Sequence, residues 1–134
     1  MYLIVLVLNK TEYLREVLKA FTELGIKGAT ILDSIGAGRM RNLDGHYIPL
    51  VGGLMRVLEN GYPHNRTIFS VVESKEIALK AADRIEEIVG DLTVPGTGIF
   101  FCVPVEFFRG GALGHYLNQK NEPTEEYLSP RFPE

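Results

Sequence analysis

A single cysteine is present among the 134 residues. One cysteine excludes an intramolecular disulfide and any Cys-x-x-Cys metal site. Cys102 lies within the apolar run IFFCVPV, which reads as a buried structural thiol and not as a nucleophile. Histidine is equally sparse: His46, His64 and His115 show neither H-x-x-H nor H-E-x-x-H spacing. No metal site within one chain is therefore read, while a site shared between subunits stays open. No apolar run is long enough to cross a membrane. The opening YLIVLVL is too short, and it has neither a basic leader nor a small-residue cleavage site, so it reads as a strand. A cytoplasmic location without membrane insertion is the expectation, and the N-x-T matches at Asn9 and Asn65 then carry no meaning. An excess of basic residues is lacking too. The net charge of −3 gives no reason to expect nucleic-acid binding. Ser34, Ser70 and Ser74 have no G-x-S-x-G context and the acidic residues spread along helix faces, so enzymatic activity is not expected.

What is present describes one domain over residues 1–110, followed by a tail over 111–134. Residues 2–8 are continuously apolar and read as a central strand buried on both faces. Asn9 is placed to cap a helix, with Glu12 at the reciprocal position. Tyr13, Leu14, Val17, Leu18, Phe21 and Leu24 then recur at helical spacing up to Gly25. Residues 26–35 read as strand two, 67–72 as strand three and 99–105 as strand four, where Pro104 demands a strand end or a sheet edge. Between strands three and four, Ser74 caps a helix whose apolar stripe runs from Ile77 to Val89 and stops at Gly90. The long connection after strand two carries its own apolar pattern at Leu50, Val51, Leu54, Met55, Val57 and Leu58. This fits a short amphipathic helix that either folds back as extra core or docks a partner. The tail is polar and proline-bearing, and is ordered only where something holds it.

The order βαββαβ predicts an α+β, ferredoxin-like fold: a four-stranded antiparallel sheet with two helices on one face and a long loop after strand two. The other face of the sheet would be bare and apolar. Self-association in a closed cyclic oligomer is the simple way to cover it.

Strand two delivers Gly36, Gly38 and Arg39 to its end, and Gly96-Thr97-Gly98 precedes strand four. Glycines let backbone N–H groups approach an anion, and a guanidinium adds charge and a forked donor set. The pair of turns points to a phosphate-bearing ligand held between them. The plainer reading of each, a glycine turn entering a loop, stands beside it.

Gly25-Ile26-Lys27-Gly28-Ala29-Thr30-Ile31-Leu32-Asp33-Ser34-Ile35-Gly36-Ala37-Gly38-Arg39 resembles the segment GITGLTVTEVKGFGR of the P-II signalling family, and Phe101-Cys102-Val103-Pro104-Val105-Glu106 resembles its FVVPVE. The resemblance covers residues 1–109. It implies a homotrimer that binds an adenine nucleotide between subunits, with no obligatory cofactor. Its T-loop, here residues 37–66, would change shape with the ligand and contact a membrane transporter or an enzyme. By position, Thr30 would lie near the adenine, and Gly36, Gly38 and Arg39 along the phosphates. Gly96, Thr97 and Gly98 would form the B-loop, and Arg109 would stand, in a shifted register, near the family's phosphate-binding arginines. The chain departs from the family at three positions. Met40 replaces the glutamine that helps bind magnesium and 2-oxoglutarate, and a thioether is a poor ligand for a hard cation. Ile99 replaces the B-loop lysine, and Gly52 the tyrosine that is uridylylated in some members. The alternative expectation is a CutA-like structural or metal-responsive trimer on the same fold, marked by histidines or carboxylates clustered across subunits.

Overall fold

Every second residue of β1 (Tyr2–Leu8) is buried: Ile4, Leu6 and Leu8 are sealed, whereas Leu3, Val5 and Val7 are half-buried. Alternate strand residues point to opposite faces, so among the described residues only one face of β1 is sealed. The expectation of equal burial on both faces is corrected accordingly. The structure is a computed structural model that describes residues 1–36 and 64–121. The expected amphipathic helix at 50–59 lies outside the described residues, as do Gly38 and Arg39.

β1 is central. It pairs antiparallel with β3 (His64–Val72), Tyr2 opposite Val72 and Leu8 opposite Arg66. On its other side it pairs antiparallel with β4 (Gly98–Pro104), Tyr2 opposite Pro104 and Leu8 opposite Gly98. β2 (Thr30–Ile35) adds antiparallel to β3 with Thr30 opposite Phe69, giving the order β2-β3-β1-β4. Pro104 ends an edge strand, where its missing N–H costs nothing. Helix α1 (Leu14–Glu23) carries the chain from β1 to β2, and α2 (Lys75–Val89) from β3 to β4. Each crossover skips one strand, so the two units interleave in the ferredoxin-like manner.

Both helices pack into one core. Val17 and Phe21 of α1 and Ala78, Ala81, Ile85 and Val89 of α2 meet Ile4, Leu6, Leu8, Ile68 and Val72. Alanines at buried helix positions let the backbones approach closely. Ser74 accepts the Ile77 N–H at 3.2 Å and starts α2 as expected. At its other end the Lys10 ammonium donates to the Val89 carbonyl at 2.8 Å, placing a cation at the negative end of the helix.

Four local expectations are corrected by the structure. Asn9 does not cap α1; the chain enters through a 3-10 turn, Thr11–Tyr13, without a side-chain cap. Instead Asn9 Oδ1 accepts from Asn65 Nδ2 at 3.2 Å, because Asn65 is buried and its amide needs a partner more than an exposed helix start does. β2 begins at Thr30 and not at 26. Leu24, Gly25 and Ile26 spend their N–H groups on the carbonyls of Ala20, Thr22 and Phe21, closing α1 with Gly25 at φ 77°. β3 starts at His64, three residues early, because Ile35 of β2 pairs with it. Part of the expected tail is helical, forming α3 (Gly111–Asn121).

The face away from the helices is apolar. Rows run across it: Phe69, Val5 and Phe101; Leu32, Thr67, Val7 and Ile99; Val71, Leu3 and Val103. Ile99 is 55% exposed, Leu32 50% and Phe101 44%. Gly98 closes the β1–β4 ladder at φ 146°, and a Cβ there would overlap the Val7 carbonyl oxygen. Gly98→Ala is therefore expected to lower stability by about 1–3 kcal/mol in urea unfolding. An unchanged midpoint would show that the ladder yields at no cost.

Candidate functional site

The split topology brings the start of β2 and the chain leaving β4 to the same end of the sheet. Beyond Pro104 the Val105 N–H donates to the Met1 carbonyl at 3.0 Å, extending the pairing by one bond. The chain then turns through Gly110 (φ 89°) and Gly111 (φ 72°) into α3. Between this segment and β2–β3 lies a cleft of about 350 Å³, lined among others by Thr30, Phe69, Val71, Phe108, Arg109 and Leu113. That volume is within the range of small-molecule sites. Ser70 donates its hydroxyl to the Gly28 carbonyl, which fixes the strip of backbone that forms one wall.

The chemistry of this lining is anion and ring recognition. Arg109 is always charged and donates in a fork. Its guanidinium lies 5.5 Å from the centroid of the exposed Phe107 ring, a cation–π distance that holds it near the mouth. Phe69 and Phe108 offer aromatic surface and Thr30 a hydroxyl, while the Ser70 hydroxyl is spent on Gly28. No carboxylate or imidazole lines the cleft among the described residues. No group of three or more metal-ligating side chains occurs among the described residues either.

Thr30 and Arg109, expected as ligand-binding residues, thus line one cleft. The glycine turns lie elsewhere. Gly36 follows the far end of β2, about 20 Å from Thr30 at the rise of an extended strand. Gly96, Thr97 and Gly98 lie at that same end of the sheet but on its opposite edge. Three strand spacings, about 14 Å, separate the edges. Among the described residues, Gly36 and the second turn are therefore not brought together.

The second turn is held by its own bonds. Val94 N–H donates to the Asp91 carbonyl and Thr97 N–H to the Val94 carbonyl, at 3.1 and 3.2 Å. The Thr97 amide is thereby engaged, and its side chain is buried. Asp91 opens the turn by accepting from the Thr93 hydroxyl at 2.7 Å and from the Thr93 N–H at 2.8 Å. These two bonds, the hydroxyl first, hold its carboxyl below the ordinary value.

Two features escaped the sequence reading. Phe108 and Ser70 belong to the cleft, and the pair Phe107-Phe108 beside Arg109 was the visible signal. A polar network also occupies the far end of the uncovered face: Ser34 bonds Asn65 Oδ1, and Thr67 Oγ1 at 2.7 Å, while Asn65 bonds Asn9. These residues come from β2, from β3 and from the residue after β1, and no local pattern joins all of them.

Ser70→Ala is expected to speed amide exchange across residues 26–30 and to cost about 1 kcal/mol; unchanged exchange would show that Gly28 is held by other contacts. Thr93→Val should return the Asp91 carboxyl toward its ordinary value in an NMR titration. With the folded value lowered, the contribution of Asp91 is present above its unfolded pKa and is lost as pH falls through the folded one. An Asp91 titration unmoved in Thr93→Val would remove Thr93 as the cause. No protein-family model matches the chain, and no curated protein matches it.

Proposed function

We propose that the chain is a P-II-like regulatory protein, a cytoplasmic homotrimer that binds an adenine nucleotide between subunits. It reports the nucleotide to a transporter or enzyme through the connection after β2. The observation that carries this reading is the cleft lined by both Thr30 and Arg109. The base lies in the cleft, against Phe108 and Thr30. The phosphates leave the cleft past the exposed Arg109 and lead along β2 toward Gly36. Gly36 and the Gly96–Gly98 turn stand on opposite edges of one sheet, which supports a reading in which a neighbouring subunit supplies the second turn. Supporting the trimer is the apolar face bearing Leu32, Ile99, Phe101 and Val103, which no element covers among the described residues.

The signalling step follows from position. Residues 37–63 leave the sheet where the phosphates end, so a ligand that contacts this connection differently in two states shifts its population. The missing B-loop lysine, Ile99 here, disfavours a third phosphate, and the reading favours a mono- or diphosphate.

The test is a calorimetric titration of the full chain with ATP, ADP, AMP and cyclic nucleotides, with and without magnesium. One of these is expected to bind at micromolar concentration, one per chain. Arg109→Ala and Arg39→Ala should each weaken it about tenfold or more, because each removes a charge-assisted bond. Absence of heat with every nucleotide, in a protein that remains folded and trimeric, would turn the reading toward a CutA-like structural or metal-responsive trimer.

A further inference from the structure

Two adjacent aromatic residues follow β4 and take different places. Phe108 is half-buried and lines the cleft. Phe107 does not line it, and at 71% it is more exposed than any other large apolar side chain among the described residues. With most of its surface in water, Phe107 adds little to the core. What its ring does meet is a cation: the Arg109 guanidinium lies over it, 5.5 Å from the centroid.

Arg109 is held differently from two other arginines of the chain. Arg66 pairs with Asp33, and Arg84 with Glu23 and Glu87. Among the described residues no carboxylate pairs with Arg109, although Glu106 is close in sequence. The difference is chemical. A carboxylate takes up the forked N–H donors of a guanidinium and offsets its charge. An aromatic ring attracts the cation through its quadrupole and leaves the charge and the fork to another acceptor. Arg109 is also the one charged side chain among the described residues that line the cleft. A long side chain already held in place loses less conformational freedom when a ligand arrives.

We propose that Phe107 is a positioning residue for Arg109. It holds the guanidinium at the mouth of the cleft with its donors unspent, so that the cleft selects a ring compound carrying an anionic group. In a nucleotide that group is the phosphate nearest the base. Phe107 acts on the ligand through Arg109 and does not itself line the site. This inference rests on the nucleotide reading above and adds to it the residue that sets its arginine.

A double-mutant cycle on the full chain tests it, read by calorimetry with AMP, ADP and ATP and by NMR of the Arg109 side chain without ligand. Phe107→Leu keeps an apolar side chain and removes the ring. It is expected to weaken the nucleotide that binds by about two- to fivefold. It should also return the Arg109 side-chain protons from ring-shifted to ordinary positions. Phe107→Tyr, which keeps the ring, should preserve both properties. In an Arg109→Ala background, Phe107→Leu should add no further loss, because the ring has no cation left to hold. Equal losses in the two backgrounds would make Phe107 a structural support of the cleft and overturn the proposal. Wild-type affinity in Phe107→Leu would overturn it as well, leaving the nucleotide site standing. Failure of every nucleotide to bind the wild-type chain, with the ring shift of Arg109 present, would remove the nucleotide reading and with it the role of Phe107 toward the ligand.

Discussion

The structure depends on the period-two alternation of β1. Ile4, Leu6 and Leu8 are sealed against α1 and α2, and this commits Leu3, Val5 and Val7 to the other face. Register then carries the commitment outward: Val5 stands between Phe69 and Phe101, and Val7 between Thr67 and Ile99. A one-residue slip would expose the core and bury the opposite set, so the burial of one face fixes the chemistry of both. An apolar sheet face that no element covers among the described residues is the surface the proposed trimer would bury.

The same register decides where ligand chemistry is possible. Because each helix crossover skips a strand, the start of β2 and the exit from β4 share one end of the sheet, and Gly36 and the Gly96–Gly98 turn share the other. The cleft owes its walls to the first arrangement and the separation of the turns to the second. Gly28 is pinned by Ser70 from β3, Arg109 leans on Phe107, and Leu113 brings in the helix that follows. Nothing in this set depends on a buried charge, and the one cation sits at the mouth, where solvation remains available.

Much of the fold was legible because it rests on local signals. The unbroken apolar run of β1, the Ser74 cap and the Gly90 stop of α2, and the proline ending β4 each follow from a few neighbouring residues. What was not legible required contacts distant in sequence. Asn9 carries a capping pattern, yet a buried amide from β3 takes its side chain. Residues 26–29 are strand-like in composition, yet the closure of α1 and the Ser70 hydroxyl claim their backbone. β1 looks two-sided because both its faces are apolar, and only the position of the helices distinguishes them. In the site, Thr30 and Arg109 were both reached through the family resemblance, Arg109 in a shifted register. Phe108 and Leu113 became visible once the segment leaving β4 was set against the start of β2 and the end of β3. Gly98 shows the limit plainly: a glycine beside an anion and a glycine beside a strand carbonyl look identical in sequence, and here the Val7 carbonyl is the neighbour.

The central claim is that the uncovered sheet face closes on two further copies of the chain and so completes the site. Sedimentation equilibrium of the full chain measures this most directly. The account predicts a single species at three times the 15.0 kDa chain mass, dissociated by Phe101→Glu with its helices still folded. A stable monomer, with Ile99, Phe101 and Val103 left in water, would contradict it.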